Sequence, residues 1–142
     1  MSVAKFVPVE ILKPTAEDQK NAKAHSEDSN IFDVFFRLSA QPTQEWASIF
    51  NDIWEQRMRT APDHLRAMAW IRGRQIGITC EPEHLSEHFK NMQTDIATTN
   101  EKYQVNLEER ANAEAEAKRK KEEIKLAQER ALSDAFKKLT DS

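Results

Sequence analysis

The last sixty residues of this 142-residue chain contain neither glycine nor proline. These two residues interrupt helices most often, so residues 83–142 are predicted to form one continuous helix. At 1.5 Å per residue, that helix would be about 90 Å long. This length exceeds the diameter of a small domain. We therefore expect most of the helix to project from the domain or to pack against another chain.

The first third of this helix carries an apolar stripe at steps of four and three residues. Its members are Leu85, Phe89, Met92, Ile96, Thr99 and Tyr103. This is the spacing of the a and d positions of a heptad repeat. Two interpretations remain open, because the stripe can complete the core of the domain or can form an intermolecular coiled coil.

The last third of the helix is predicted to bind another protein. Residues 108–123 are apolar only through alanine, and glutamate–lysine pairs at i,i+4 spacing indicate a solvated spacer helix. Apolar residues then return, with Leu132, Phe136 and Leu139 at the i, i+4, i+7 spacing of a helix laid into a groove. The predicted partner-binding residues are Ile124, Leu132, Phe136 and Leu139. The alternatives are a frayed tail and a self-contact in a homodimer.

Residues 3–12 and 31–39 are predicted to be strands. In the first, valine and isoleucine alternate with other residues, and a proline indicates an edge position. In the second, four large apolar residues share one face, and others on the opposite face indicate a strand covered on both sides. Residues 14–30 are predicted to be a long polar connection, in which Thr15 and Asp18 can cap a short helix.

A helix and a hairpin are predicted to follow these strands. Gln41-Pro42-Thr43 is typical of a helix start. The apolar residues that follow at steps of three and four are Trp46, Ile49, Phe50, Ile53, Trp54 and Met58. Residues 67–71 and 75–80 flank a central glycine and are predicted to pair as a β-hairpin. Glu81-Pro82 then begins the long helix.

The order strand, strand, helix, strand, strand, helix predicts an α+β fold. We expect a small antiparallel sheet of about four strands packed on helices, with a long C-terminal helix that projects or forms a coiled coil. The predicted domains are an α+β domain over residues 1–107 and a charged helical extension over residues 108–142 that ends in an apolar docking stripe.

The stretch HLSEH, at residues 84–88, raises the question of a metal site. On a helix, His84 and His88 lie one turn apart and can reach one zinc ion, with Glu87 nearby as a base. The pattern resembles the zinc signature of the inverzincin peptidases, and the resemblance implies a zinc hydrolase. Such enzymes need a third ligand and a substrate chamber, and neither is indicated here. We expect a polar first helical turn, with no catalytic residue, metal or other cofactor.

No other pattern indicates an enzyme. The chain has two glycines, and they form no phosphate-binding loop of either common kind. Cys80, the single cysteine, is expected to end a strand as a small buried residue. It cannot form an intrachain disulfide, and we find no signal-peptide pattern and no apolar run long enough to span a membrane. We therefore expect a cytoplasmic location.

Arginines in residues 57–80 support an alternative function. The whole chain has 21 basic and 24 acidic residues, a net charge of −3, which does not indicate a nucleic-acid partner. The segment, however, carries five arginines and a single aspartate. Arginines beside an indole can grip phosphate and stack on a base. The predicted nucleic-acid-binding residues are Arg57, Arg59, Trp70, Arg72 and Arg74. In the other interpretation, these arginines pair with carboxylates of the same chain.

The patterns together favour a non-enzymatic protein–protein interaction module, such as an adaptor, a complex subunit or an inhibitor. In this interpretation the sheet domain is rigid, and the C-terminal helix binds another protein or a second copy of the chain. Association with nucleic acid is the alternative, and no membrane partner is expected.

Overall fold

The computed structural model of the protein describes residues 6–27 and 29–141. Phe6–Gln104 form one compact unit, and the chain from Val105 onward belongs to a second. The described elements are α1 (Ala16–Asn21), β1 (Lys23–Ala24), β2 (Phe32–Arg37), α2 (Gln44–Thr60), β3 (Met68–Arg72), β4 (Gln75–Cys80) and α3 (Leu85–Thr140), with short 3-10 turns at Asp63–Leu65 and Pro82–His84. The predicted α+β fold is confirmed.

The four strands form one antiparallel sheet in the order β1-β2-β4-β3. The β3–β4 hairpin turns at Gly73, whose φ of 59° lies in the left-handed region that favours glycine. One face of the sheet, here called the inner face, is buried. It includes Val34, Phe36, Ile76, Ile78 and Cys80.

The first strand lies elsewhere than the sequence predicts. From residue 6 to residue 12 the chain forms only a single bridge to the sheet, and residues 3–5 lie outside the described residues. Val9 supplies the reason: its N–H donates to Asn100 Oδ1 at 3.1 Å, and its carbonyl accepts from Asn100 Nδ2 at 2.8 Å. The Asn100 side chain of α3 thus hydrogen-bonds to the N–H and carbonyl of Val9, which in a strand would bond to a neighbouring strand. The first strand is instead β1, within the predicted polar connection 14–30.

The predicted cap of a short helix is confirmed at α1. The N–H of Asp18 donates to Thr15 Oγ1 at 3.3 Å, and the N–H of Thr15 donates to Asp18 Oδ2 at 2.9 Å. This reciprocal pair is a capping box. It fixes where α1 begins, immediately before the two-residue strand β1.

The core lies between the inner face of the sheet and two amphipathic helices. Trp46, Phe50 and Trp54 of α2 are buried, with successive ring centroids 6.0 and 6.1 Å apart. From α3, Phe89 meets Phe36 of β2 at 4.9 Å between ring centroids. The other stripe residues of α3 include the buried Met92, Ile96, Thr99 and Tyr103. This stripe therefore completes the core of the first unit.

Candidate interaction surfaces

The predicted partner-binding residues near the end of α3 are exposed. Ile124 is 59% exposed, Leu132 62%, Phe136 60% and Leu139 70%. Successive helical residues advance by about 100°, so these four side chains fall within an arc of about 120°. They form one apolar face, here called the C-terminal stripe. Leu126 is equally exposed, at 60%, but points away from this arc.

Local interactions support the helix that carries the C-terminal stripe. Arg119 Nη1 donates to Glu123 Oε1 at 2.8 Å, and Arg119 Nε donates to Glu116 Oε2 at 3.3 Å. These i,i+4 and i,i+3 pairs are exposed, so each stabilises the helix by only about 0.3–0.5 kcal/mol. The stripe is thus presented by a helix whose own residues favour helical structure.

Three of the five arginines in residues 57–80 pair with carboxylates: Arg57, Arg59 and Arg66, the last with Asp63 at 3.3 Å. Arg57 donates from Nε and Nη2 to Asp95 at 2.9 and 2.7 Å, which links α2 to α3. The hydrogen bonds with Asp95 are the main reason that the pKa of the Arg57 guanidinium rises above its ordinary value. Arg59 pairs with Glu55, one turn earlier on α2, at 3.3 Å. Arg57 therefore has a structural partner in the domain interior.

The other three nucleic-acid candidates lie on or beside the second face of the sheet, here called the outer face. Its cross-strand rows are Asp33–Thr79–Met68, Phe35–Gly77–Trp70 and Arg37–Gln75–Arg72. Arg74, in the turn, donates to a backbone carbonyl at 2.8 Å. Trp70 and Arg72 are therefore the candidates that the structure keeps together.

Trp70 lies against Gly77 in the middle of the outer face. A Cβ atom at Gly77 would stand 2.5 Å from the ring, so only glycine leaves room for the indole there. Phe35, on β2 across the intervening β4, meets Trp70 edge to face at 5.8 Å between ring centroids. Met68, at the adjacent row, is 76% exposed. The predicted cover on this face of β2 is therefore only partial, because Phe35 is half-buried beside Trp70 and Ile31 is 38% exposed.

His84 and His88 of the HLSEH stretch have different surroundings. His84 ends the 3-10 turn before α3, and its ring centroid lies 5.4 Å from that of His64. His88 is buried against Trp54, at 6.2 Å between ring centroids. Among the described residues, no group forms a hydrogen bond with His88 Nδ1. Burial, followed by the electrostatic effect of the nearby His84, lowers the pKa of His88.

The described residues that come nearest to a metal-ligand set are Glu81, Glu83 and His84, whose ligand atoms lie within 4.8 Å of one another. A hydrogen bond with Glu83 is the main reason that the pKa of the Glu81 carboxyl is raised. This set leaves out His88, so the two histidines of HLSEH do not form the ligand pair that their spacing suggests. Exposed carboxylates often cluster without a metal, and we assign no metal to this cluster.

Comparisons of the chain with protein-family models, with curated proteins and with solved structures found no match. None of the described helices is long and apolar enough to cross a membrane. The function is therefore inferred from the surfaces of the chain itself.

Two parts of these surfaces were missed by reasoning from the sequence. Phe35 was predicted only to be covered, although it contributes to the outer face beside Trp70. Gly77 was read as one residue of a strand, although a glycine inside a strand often marks a close approach by another group. Gly77 was therefore the feature of the sequence that could have indicated where the Trp70 indole packs.

Proposed function

We propose that this protein is a non-enzymatic protein–protein interaction module that binds its partner through the C-terminal stripe. The exposure of Ile124, Leu132, Phe136 and Leu139 on one helical face carries the proposal. Large apolar side chains in contact with water are costly, and a contiguous set of them typically marks a binding site. A cytoplasmic location agrees with a chain whose single cysteine forms no intrachain disulfide.

The size of the stripe favours a partner with a groove. Four side chains exposed to roughly two-thirds offer a few hundred Å², well below the roughly 800 Å² per partner of a standard interface. A partner that surrounds the helix also covers its flanking residues and so increases the buried area. A second copy that pairs helix to helix is the other candidate partner.

The test compares two variants of the full chain. Leu132→Asp combined with Phe136→Asp places two charges in the stripe, whereas Leu126→Asp places one charge on an equally exposed residue outside it. Light scattering gives the mass of the assembled chain, and cross-linking in the source cells identifies any different partner. We expect the double variant to lose assembly and the control to retain it, with unchanged circular dichroism in both.

Two results would contradict this function. One is a wild-type chain that stays monomeric at every concentration and cross-links to no other protein. The other is a double variant that assembles as the wild type does. A doubled mass that is lost in the double variant would identify the partner as a second copy.

The outer face of the sheet supports a second candidate function, the binding of single-stranded nucleic acid. An aromatic row that contains Phe35 and Trp70 lies beside the row that contains Arg72, whereas Arg37 of that row is paired with Asp18. Bases stack on aromatic rings, and arginines contact the phosphates between them. A mobility-shift assay at low and moderate salt tests this function, with Arg72→Gln expected to weaken binding and Arg59→Gln as the control on α2.

A further inference from the structure

A cavity of about 740 Å³ lies beneath α1 in the first unit. Its floor is the inner face of the sheet, through Phe32, Val34 and Phe36 of β2 and Cys80 of β4. Leu85, at the start of α3, forms another wall. Exposed residues, among them Pro14, Gln19 and Pro82, form part of its wall, so the space opens to solvent and a ligand can enter it.

The helix above the cavity does not fill it. Of the six residues Ala16–Asn21, only Asp18 is buried. Asp18 holds α1 through polar contacts, because Arg37 Nε donates to its Oδ1 at 3.1 Å and the capping box bonds it to Thr15. No large apolar side chain of α1 enters the space. Hydrogen bonds of Asp18 thus hold α1 over the apolar space, and no side chain of α1 fills that space.

The described lining of the cavity leaves no charge to pair with an ion. Asp18 is its one acidic residue, and the carboxylate already accepts hydrogen bonds from Arg37 and Thr15. Burial by itself raises the pKa of Asp18, but the hydrogen bonds from Arg37 and Thr15 lower it below its ordinary value. Burial, followed by the charge of Glu81, raises the pKa of Cys80 to about 11. The thiol is therefore uncharged at neutral pH and adds to the apolar wall.

The apolar space is also elongated. A second, shallower hollow, of about 520 Å³, shares Pro14, Phe36, Pro82 and Leu85 with the cavity and is also lined by Phe89 and by the polar Ser86, Lys90 and Gln93 of α3. Water in such a space finds few of the two to four polar partners that a stable buried water typically needs. An extended hydrocarbon chain fits both the shape and the chemistry of the lining.

We infer that this cavity is a binding site for a neutral small molecule that carries an alkyl chain. The chain lies along β2 beneath α1, against Val34, Phe36 and Cys80. A neutral head group that lies within this cavity is favoured over a charged one, because the described lining of the cavity offers a charge no free partner. This site is separate from the C-terminal stripe and goes beyond the proposed interaction function.

The experiment titrates the full-length protein with 1-decanol, decanoate and decylammonium, which share a chain length and differ in charge. The single cysteine is the reporter, because its thiol lines the cavity and reacts with an aromatic disulfide. The assay is run above neutral pH, where more of this high-pKa thiol is in its reactive thiolate form. We expect decanol to bind one molecule per chain and to slow the reaction of Cys80. We expect the two ions to bind more weakly by about tenfold or more.

A pair of variants locates the binding. Ala22→Phe adds a ring at a half-buried residue that lines the cavity, whereas Ala117→Phe adds the same ring at an exposed position of α3. Decanol binding, measured by calorimetry, should be lost in the first variant and retained in the second. Circular dichroism checks that both are folded, and the protection of Cys80 in the wild-type protein supplies a result that depends on no variant.

Three results would overturn the inference. The first is no binding of decanol and no change in the reactivity of Cys80. The second is equal binding of the alcohol and the two ions, or binding that Ala22→Phe leaves intact. The third is protection of Cys80 by a peptide of residues 124–139 but not by decanol, which would assign the cavity to a protein segment.

Discussion

The two parts of α3 are helical for different reasons. Up to Tyr103, the helix buries a stripe against α2 and the sheet, and residues such as Met92 and Thr99 are fully buried. From Val105 to Asp141, the described residues are exposed or half-buried. Packing supplies most of the stability of a helix in a folded domain, whereas an exposed helix depends on propensity and local pairs. One continuous element thus joins a structural half to a half that carries an exposed apolar face.

The largest expected contrast comes from one substitution made in each half. Ile96→Ala opens a space in the core and should lower the free energy of unfolding by about 3 kcal/mol. Ile124→Ala removes an exposed side chain and should change it by less than about 0.5 kcal/mol. Urea denaturation followed by tryptophan fluorescence measures both. Equal losses would show that the two halves are packed alike.

Arginine substitutions sharpen the same comparison. Arg57→Met leaves the buried Asp95 without its partner and should destabilise the first unit by about 2–3 kcal/mol. Arg119→Met breaks exposed pairs on the second part of α3 and should cost less than about 0.5 kcal/mol. Thermal denaturation of both variants provides the check. If Arg119→Met lowered the stability as much as Arg57→Met does, the ion pairs of Arg119 could not be the weak surface pairs assigned here.

The buried His88 gives the first unit a sensitivity to acid. Its folded-state pKa lies below the ordinary value of 6.5, so the unfolded chain binds the proton more readily. The stability that depends on a neutral His88 is fully present above pH 6.5. It is lost as the pH falls from 6.5 toward the folded-state pKa of His88. His88→Phe should reduce the fall in unfolding free energy between pH 7.5 and about 5.5, as measured by denaturant titration. An unchanged pH dependence would show that His88 titrates normally.

A glycine in the exposed half is expected to have a local effect only. Ala117→Gly should reduce helix stability locally by about 1 kcal/mol, because glycine gains more conformational freedom in the unfolded chain. The helical signal at 222 nm should fall, while the urea midpoint reported by Trp46 and Trp54 stays unchanged. A shifted midpoint would show that the second part of α3 stabilises the first unit.

Local patterns predicted most of the fold. The period-two pattern gave β2, the aromatic spacing gave α2, and the absence of glycine and proline after Pro82 gave α3. The missed features depend on contacts between residues far apart in sequence. Asn100 binds the backbone of Val9 across 91 positions, and this contact replaces the predicted strand.

The candidate surfaces divide in the same way. The C-terminal stripe is a periodic pattern on one helix, so the sequence alone identified its four residues. The grouping of Arg57 with Arg72 rested on closeness along the chain, and the structure gives Arg57 a partner on another helix, Asp95. The cavity beneath α1 had no sequence signal, because its walls come from segments that are distant in sequence.

Hydrogen–deuterium exchange along α3, at a protein concentration where the chain is monomeric, tests the central claim most directly. We expect the amides of residues 92–103 to exchange only on unfolding of the first unit, and those of residues 112–138 to exchange orders of magnitude faster. That result would leave the C-terminal stripe on a helix without tertiary support and available to a partner. Equal protection along the whole helix would contradict the account.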